Sequence, residues 1–214
     1  MVIQLLRNEM FSQKAYNYVL AFSSFIPFTG FFTSGVPIRH ILLIIVLSSW
    51  VPLIAPYYER DALLNSLPVT RKKIVTAKYL APLMWSIPAT VIVFIYVFLF
   101  VTYAPFPARL ITGWDLLLAL AGLYLLISFF YPLLISLGYI AATTLTAITG
   151  GAIMIGVQMV INIYHNPSMT SLDSTVENII ANPNAFILLF AGITLIITLL
   201  SYALSVKLYE RKDF

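Results

Sequence analysis

Hydrophobic residues in this chain run in long blocks separated by short polar stretches. Residues 79 to 108 and 116 to 172 hold no charged side chain at all. A membrane barrel strand shows about 10 residues of alternating polarity, so blocks of this length predict helices, which satisfy their own backbone groups away from water. At about 20 residues per crossing, the pattern predicts six spans: Ala15 to Phe32, Ile41 to Tyr57, Tyr79 to Tyr103, Trp114 to Leu137, Ile140 to Ile161 and Ala185 to Val206. The expected fold is an all-α membrane protein, a single transmembrane domain over residues 1–214. Within Met1 to Lys14, Ile3, Leu6 and Met10 share one helical face while Gln4, Arg7, Asn8 and Ser12 turn away. This is the pattern of an interfacial amphipathic helix over residues 1–14. No small-residue cleavage site follows it, so it is expected to be retained.

Composition sharpens this picture. Of 214 residues, 61% are hydrophobic and 9% charged, whereas a soluble domain has about a quarter of its residues charged. Six spans leave no room for a soluble catalytic domain, and the lack of cysteine excludes a disulfide framework and thiol chemistry. Of the 12 basic residues, Arg7, Lys14, Arg60, Arg71, Lys72, Lys73, Lys78, Lys207, Arg211 and Lys212 fall on one side of the predicted layout, and Arg39 and Arg109 on the other. That asymmetry places both termini and the loop between spans two and three in the cytoplasm. The net charge of +4 thus marks a membrane face and implies no nucleic-acid partner. Tyr57, Tyr58, Tyr79, Trp114, Tyr164 and Tyr209 stand near predicted span ends, where amphipathic rings prefer to lie.

Several features bear on helix packing. Pro27, Pro52, Pro56, Pro82, Pro88 and Pro132 fall inside spans, where each removes a backbone hydrogen bond that neighbouring helices must make good. Gly138, Ala142, Thr146 and Gly150 follow one another at four-residue spacing, a small-residue ridge that lets two helices approach closely. It serves either packing within the chain or a seam between two copies. In the outer stretch, residues 162–184, Ser174 and Glu177 form a capping box ahead of Val176, Ile179 and Ile180, predicting a short outer helix before span six.

The loop over residues 59–78 is the most informative stretch. Leu63, Leu64 and Leu67 share one side of a short helix, with Glu59, Asp61, Asn65 and Ser66 open to solvent. Pro68 turns the chain, and Thr70 is placed to N-cap the next helix. Arg71, Lys72 and Lys73 then occupy a first turn whose macrodipole disfavours them by about 0.3 to 1 kcal/mol each. Something must outweigh that cost; anionic lipid headgroups are one candidate. The leucine cluster suits either docking to a cytoplasmic partner or resting on lipid.

The run from Glu59 to Tyr79, especially Leu67-Pro68-Val69-Thr70-Arg71 with Lys72, Lys73 and Lys78 after it, resembles the cytoplasmic loop of membrane subunits of type-2 ABC exporters. It looks most like that of the small permeases of the phenol-soluble-modulin peptide exporter group, and Tyr209 to Phe214 is similar to their basic tail. The resemblance implies a permease subunit in a bacterial cytoplasmic membrane. It would pair with a second permease chain, in a homodimer or heterodimer, above cytoplasmic ABC ATPase subunits that bind ATP and Mg. The chain itself would need no cofactor. The family's coupling helix would map onto Asp61 to Leu67. The ATPase-coupling residues become Glu59, Arg60, Asp61, Leu63, Leu64, Asn65, Leu67, Pro68, Thr70 and Arg71. No glycine-rich loop ending in Gly-Lys-Ser or Gly-Lys-Thr occurs in the chain, so ATP is expected to be handled elsewhere.

No charged residue is placed deep in a span, which disfavours proton coupling. No cluster of His, Asp and Glu offers metal ligands, and no nucleophile stands near a base, so neither a catalytic nor a metal site is expected. A mildly polar translocation path would draw on Ser23, Thr29, Ser49, Thr143, Thr146, Gln158 and Asn162. The alternative use of such groups is to bond their own helix carbonyls or to join helices. A lined path of this kind suits amphipathic cargo, peptides first. A competing function, the substrate-binding six-helix module of an energy-coupling importer, fits less well, because the first span lacks the alanine pair expected of that class.

Overall fold

The computed structural model describes residues 44–45, 70–103, 110–146, 148–149 and 183–211. Expectations for the interfacial helix, the first span, the loop through Val69 and the outer helix lie outside these residues. So do all of span two but Ile44 and Ile45, and with them Pro27, Pro52 and Pro56.

Every regular element among the described residues is helical. Helix α1 runs Arg71–Tyr103, α2 runs Gly113–Leu137, α3 covers residues 139–146, and α4 runs Pro183–Arg211. Among the described residues, three stretches are long and apolar enough to cross a bilayer: Arg71–Leu99, Gly113–Leu137 and Asn184–Arg211. They coincide with predicted spans three, four and six. The first differs at its start, because the helix begins eight residues before Tyr79 and takes in the basic turn. At 1.5 Å per residue, its 33 residues reach about 50 Å, against about 30 Å of hydrocarbon. The Arg71 end therefore has length to spare for the headgroup region.

What each helix exposes identifies its solvent. On α4 the buried positions are Thr194, Ser201, Ser205 and Tyr209, while Leu188, Leu189, Leu195, Ile196, Leu199, Leu200 and Leu204 face outward. Ser205 is 0% exposed and Leu200 66%. In water this arrangement is inside out; in hydrocarbon it is favourable, since lipid tails are as apolar as leucine. On α1 the outward stripe is Leu80, Leu83, Met84, Ile87, Val91, Phe94, Ile95 and Phe98, and the inward one includes Val75, Ala89, Val93 and Val97.

Helix α2 is central. Its lower half joins Ile74, Val75 and Tyr79 of α1 and Tyr209 of α4 in one cluster through Leu123, Ile127, Phe130, Tyr131, Leu134 and Ile135. Towards its start, Ala119 packs with Ala89, Val93, Val97 and Ile44 in a second. The C-terminal half of α2 thus lies beside the N-terminal turns of α1, so the two are antiparallel. Helices α2 and α4 run parallel and share the most extensive interface.

Both ends of α2 have local causes. At the start, the Asp115 carboxylate accepts the Thr112 backbone N–H at 2.9 Å and its hydroxyl at 2.8 Å, covering an otherwise orphaned donor with a negative charge where the helix dipole favours one. At the end, Gly138 adopts φ 86°, a region open to glycine. Its N–H bonds the Leu134 carbonyl, and its own carbonyl accepts from Ala142 as α3 begins. Gly138 is therefore a break between helices and not the first step of a packing ridge. The ridge begins one turn later, where Ala142 is fully buried inside this chain's own core and Thr146 is buried after it.

Candidate functional site

The prolines of α1 and α2 organise the interior. Pro82 has no N–H to give the carbonyl four residues back, that of Lys78, and Pro132 leaves the Ser128 carbonyl open in the same way. Both carbonyls are covered from neighbouring helices. The Tyr131 hydroxyl of α2 donates to the Lys78 carbonyl at 2.8 Å, and the Ser201 hydroxyl of α4 donates to the Ser128 carbonyl at 2.6 Å. Neither proline interrupts its helix.

The second of these bonds continues into a chain of hydroxyls. Tyr79 of α1 lies 2.7 Å from Ser201 and 2.9 Å from Ser205. Because Ser201 has committed its one proton to the Ser128 carbonyl, Tyr79 must donate to Ser201 and accept from Ser205. The result is a directed run, Ser205 to Tyr79 to Ser201 to the Ser128 carbonyl, that ties α1, α2 and α4 together without a formal charge. Nearby, Tyr124 donates to the Tyr79 carbonyl at 3.2 Å, and Thr76 pairs with Tyr202 at 2.9 Å. Tyr79 and Tyr131 rings also meet at 5.0 Å between centroids, and Tyr79 and Tyr202 edge-on at 5.5 Å.

Tyr79 and Tyr209 are thus core residues, 6% and 1% exposed, and not members of an interfacial belt. Each has a hydroxyl or ring that the bundle uses, and α1 starts early enough to carry Tyr79 inside. Trp114, at the start of α2, is 38% exposed.

The basic end of the bundle carries a clasp. Arg71, first residue of α1, donates through Nη1 to the Glu210 carbonyl at 2.6 Å and the Tyr209 carbonyl at 3.3 Å, the last backbone acceptors of α4. Two turns further along α1, Lys78 is 3% exposed with its Nζ 5.7 Å from the Tyr209 ring centroid, close enough for a cation–π attraction. Lys72, Lys73, Lys207 and Arg211 are exposed at the same end. The cost of a cation in the first turn of α1 is thereby offset for Arg71, because the same guanidinium sits at the C-terminal, negative end of the α4 dipole.

Further along the α2–α4 seam lies an open groove of about 320 Å³, bounded by Leu117, Leu120, Ala121 and Tyr124 on one helix and Ala191, Thr194, Leu195 and Thr198 on the other. Both walls repeat at helical spacing, which follows from the parallel course of the two helices. The Thr194 hydroxyl is buried beside the groove with no hydrogen-bond partner, while Thr198 returns its proton to the Thr194 carbonyl at 2.8 Å.

Of the residues expected to couple to an ATPase, Thr70 and Arg71 are described; Glu59, Arg60, Asp61, Leu63, Leu64, Asn65, Leu67 and Pro68 lie outside the described residues. Thr70 stands at the N-cap of α1, its carbonyl accepting from Lys73 at 2.9 Å and Ile74 at 3.4 Å. Of the expected path residues, Ser23, Thr29, Ser49, Gln158 and Asn162 lie outside. Thr143 gives its hydroxyl to carbonyls of its own helix, Tyr139 at 2.8 Å and Ile140 at 2.9 Å, and Thr146 is buried with its hydroxyl unpartnered. Among the described residues, the hydroxyls that do join helices, those of Thr76, Tyr79, Tyr124, Ser128, Tyr131, Thr198, Ser201, Tyr202 and Ser205, are outside the expected path set. A signal for part of it is present: Thr194, Thr198, Ser201 and Ser205 recur at spacings of four, three and four along an otherwise aliphatic span.

Among the described residues, a helical bundle with outward aliphatic stripes, hydroxyl-bonded seams and one basic end defines an integral membrane component. The chain matches the model of the ABC-2 family transporter proteins over residues 4–210, and it belongs to that family. It is accordingly a multi-pass membrane subunit of an ABC transporter. No curated protein and no solved structure matches the chain.

Proposed function

We propose that this chain is the permease subunit of an ATP-driven exporter that moves amphipathic or hydrophobic cargo, peptides first, out of a bacterial cell. Within the ABC-2 family it is assigned to the small permeases of the phenol-soluble-modulin exporter group, on the loop sequence Leu67-Pro68-Val69-Thr70-Arg71. The observation that carries the reading is the family match across nearly the whole chain, in a protein without a glycine-rich nucleotide loop. Hydrolysis of ATP with Mg then falls to separate cytoplasmic ATPase subunits, and a second permease chain completes the pathway.

The proposed topology has six spans with both termini in the cytoplasm. Two facts support it. The start of α1 and the end of α4 meet at one basic end, which the positive-inside rule assigns to the cytoplasm. Helices α2 and α4 are parallel and each of membrane length, a course that calls for one more crossing between them, for which the proposal uses a fifth span starting near Ile140. On this reading Asp61 to Leu67 seats in the ATPase, Leu63, Leu64 and Leu67 forming its apolar contact.

The test replaces Leu63, Leu64 and Leu67 by Glu in the full chain co-expressed with the ATPase encoded beside it. Loss of ATPase association and of transport, with membrane insertion retained, is expected. Association and transport left intact would remove the coupling assignment.

A further inference from the structure

We infer that Arg71 is a positioning residue that makes the C-terminal helix α4 move with the loop preceding α1, so that α4 is the driven helix of the permease. The inference deepens the exporter reading and rests on it.

Three observations lead here. First, Arg71 is the residue at which the loop becomes α1, and its guanidinium is fixed on the terminal carbonyls of α4, 2.6 Å from that of Glu210 and 3.3 Å from that of Tyr209. A displacement of the loop end is therefore a displacement of the α4 terminus. Second, a series of polar contacts joins α1 and α4 at this end. They run from Arg71 through Thr76 with Tyr202 to Tyr79 with Ser201 and Ser205, while α4 is bonded to α2 both here, through Ser201 on the Ser128 carbonyl, and farther along at Thr198. The joint is a clamp at one end of a long lever. Third, the seam of α4 with α2, bonded at Ser201 and Thr198, opens farther along into a groove beside the buried Thr194 hydroxyl, and the outward face of α4 is aliphatic. A pull at Arg71 would be felt at that groove through a rigid helix of 29 residues.

A cation in this position is suited to holding and not to anchoring α1 alone. In the first turn of α1 it is disfavoured by the helix dipole, and at the last turn of α4 it is favoured by a similar amount. Its net worth thus comes from charge-assisted bonds that exist only when α1 and α4 are together.

The experiment uses the full chain reconstituted with its ATPase subunits in proteoliposomes, reading ATP hydrolysis and export of a labelled amphipathic helical peptide. Arg71→Gln is expected to hydrolyse ATP while exporting at least about fivefold less peptide per ATP, the lower end of an ordinary coupling free energy. The chain has no native cysteine, so Lys72→Cys with Glu210→Cys, both at exposed positions, can be bridged by a short bis-maleimide, each thiol adding across one maleimide double bond. That bridge in the Arg71→Gln background is expected to restore export per ATP, and in the wild-type background to leave it intact. Unchanged export per ATP in Arg71→Gln, or a bridge that fails to restore it, overturns the inference. Loss of ATPase binding by Arg71→Gln also overturns it, since Arg71 would then touch the ATPase itself, and leaves the exporter reading standing. Should Arg71→Gln not fold, the bridged wild type decides, and loss of its export overturns the clasp. A wild-type chain that binds no ATPase overturns both.

Discussion

The hydroxyl of Tyr131 closes on the carbonyl of Lys78 at 2.8 Å, and that carbonyl is open because Pro82 stands four residues after it. The bond has a cause outside the two residues it joins, which makes it separable by mutation. Tyr131→Phe leaves a buried acceptor unpaired, a loss of about 1 to 3 kcal/mol in a protein interior, seen as a lower unfolding midpoint in detergent. Pro82→Ala restores an N–H to the Lys78 carbonyl. In that background Tyr131→Phe is expected to cost less than half as much, and equal costs in the two backgrounds would refute the assignment.

Pro132 and Ser201 repeat the relationship with the helices exchanged. Ser201→Ala uncovers the Ser128 carbonyl, which has no helical donor, and also takes from Tyr79 its acceptor. Ser205→Ala removes only a donor to Tyr79. Ser201→Ala is therefore expected to destabilise more than Ser205→Ala. Typical interhelical bonds in membranes average about 0.6 kcal/mol and reach about 1.7, and Ser201→Ala belongs at the upper end. Pro132→Ala is expected to rescue Ser201→Ala and not Ser205→Ala, in the same unfolding measurement.

Much of the bundle could be read from the chain, and what could not has identifiable reasons. Long charge-free blocks fix α1, α2 and α4 because the bilayer leaves helices as the solution for runs of that length, and Thr70 was recognisable as a helix start from the turn at Pro68. The need to re-satisfy proline-freed carbonyls also followed from sequence, but its agents did not. Which hydroxyl reaches the Lys78 or Ser128 carbonyl depends on the rotation and register of a second helix; the hydroxyl stripe of α4 reports which face it turns inward, but not the register at which that face meets α1 and α2. Tyr79 was misplaced for a related reason: a ring near the end of an apolar block looks interfacial unless the helix is known to start at Arg71. Arg71 itself stood out as a cation in an unfavourable first turn. Its compensating partner lies 139 residues away, beyond any local pattern.

Asp115 offers a prediction about insertion of α2. Its carboxylate is 7% exposed and holds both the N–H and the hydroxyl of Thr112, ordering the first turn of a helix that packs on both α1 and α4. Asp115→Ala is expected to cost about 0.5 to 2 kcal/mol, the range for losing a helix cap. Asp115→Asn, which keeps an acceptor oxygen but loses the charge, is expected to fall between Ala and wild type. Thermal unfolding of the purified chain separates the three.

At Gly122 the side chain of Ile45 comes up against α2. A Cβ built there would lie 2.6 Å from Cδ1 of Ile45, with Cγ1 next at 3.6 Å, and the neighbouring Ile44 is 2% exposed among Ala89, Val93, Val97 and Ala119. Because the nearest atom is the tip of a side chain, Gly122→Ala is expected to be absorbed by a rotation of Ile45 at a cost below that of a larger residue. Gly122→Leu cannot be absorbed in that way and is expected to cost about 1 to 3 kcal/mol, as overpacked cores do. Ile45→Ala clears the obstructing tip, so Gly122→Leu with Ile45→Ala is expected to recover part of the loss, whereas Ile45→Ala alone is destabilising by the cavity it leaves. Unfolding midpoints of the four chains check the cycle. If the double variant is no better than the sum of its parts, the close approach of Ile45 to Gly122 is not what limits packing at this point of the bundle.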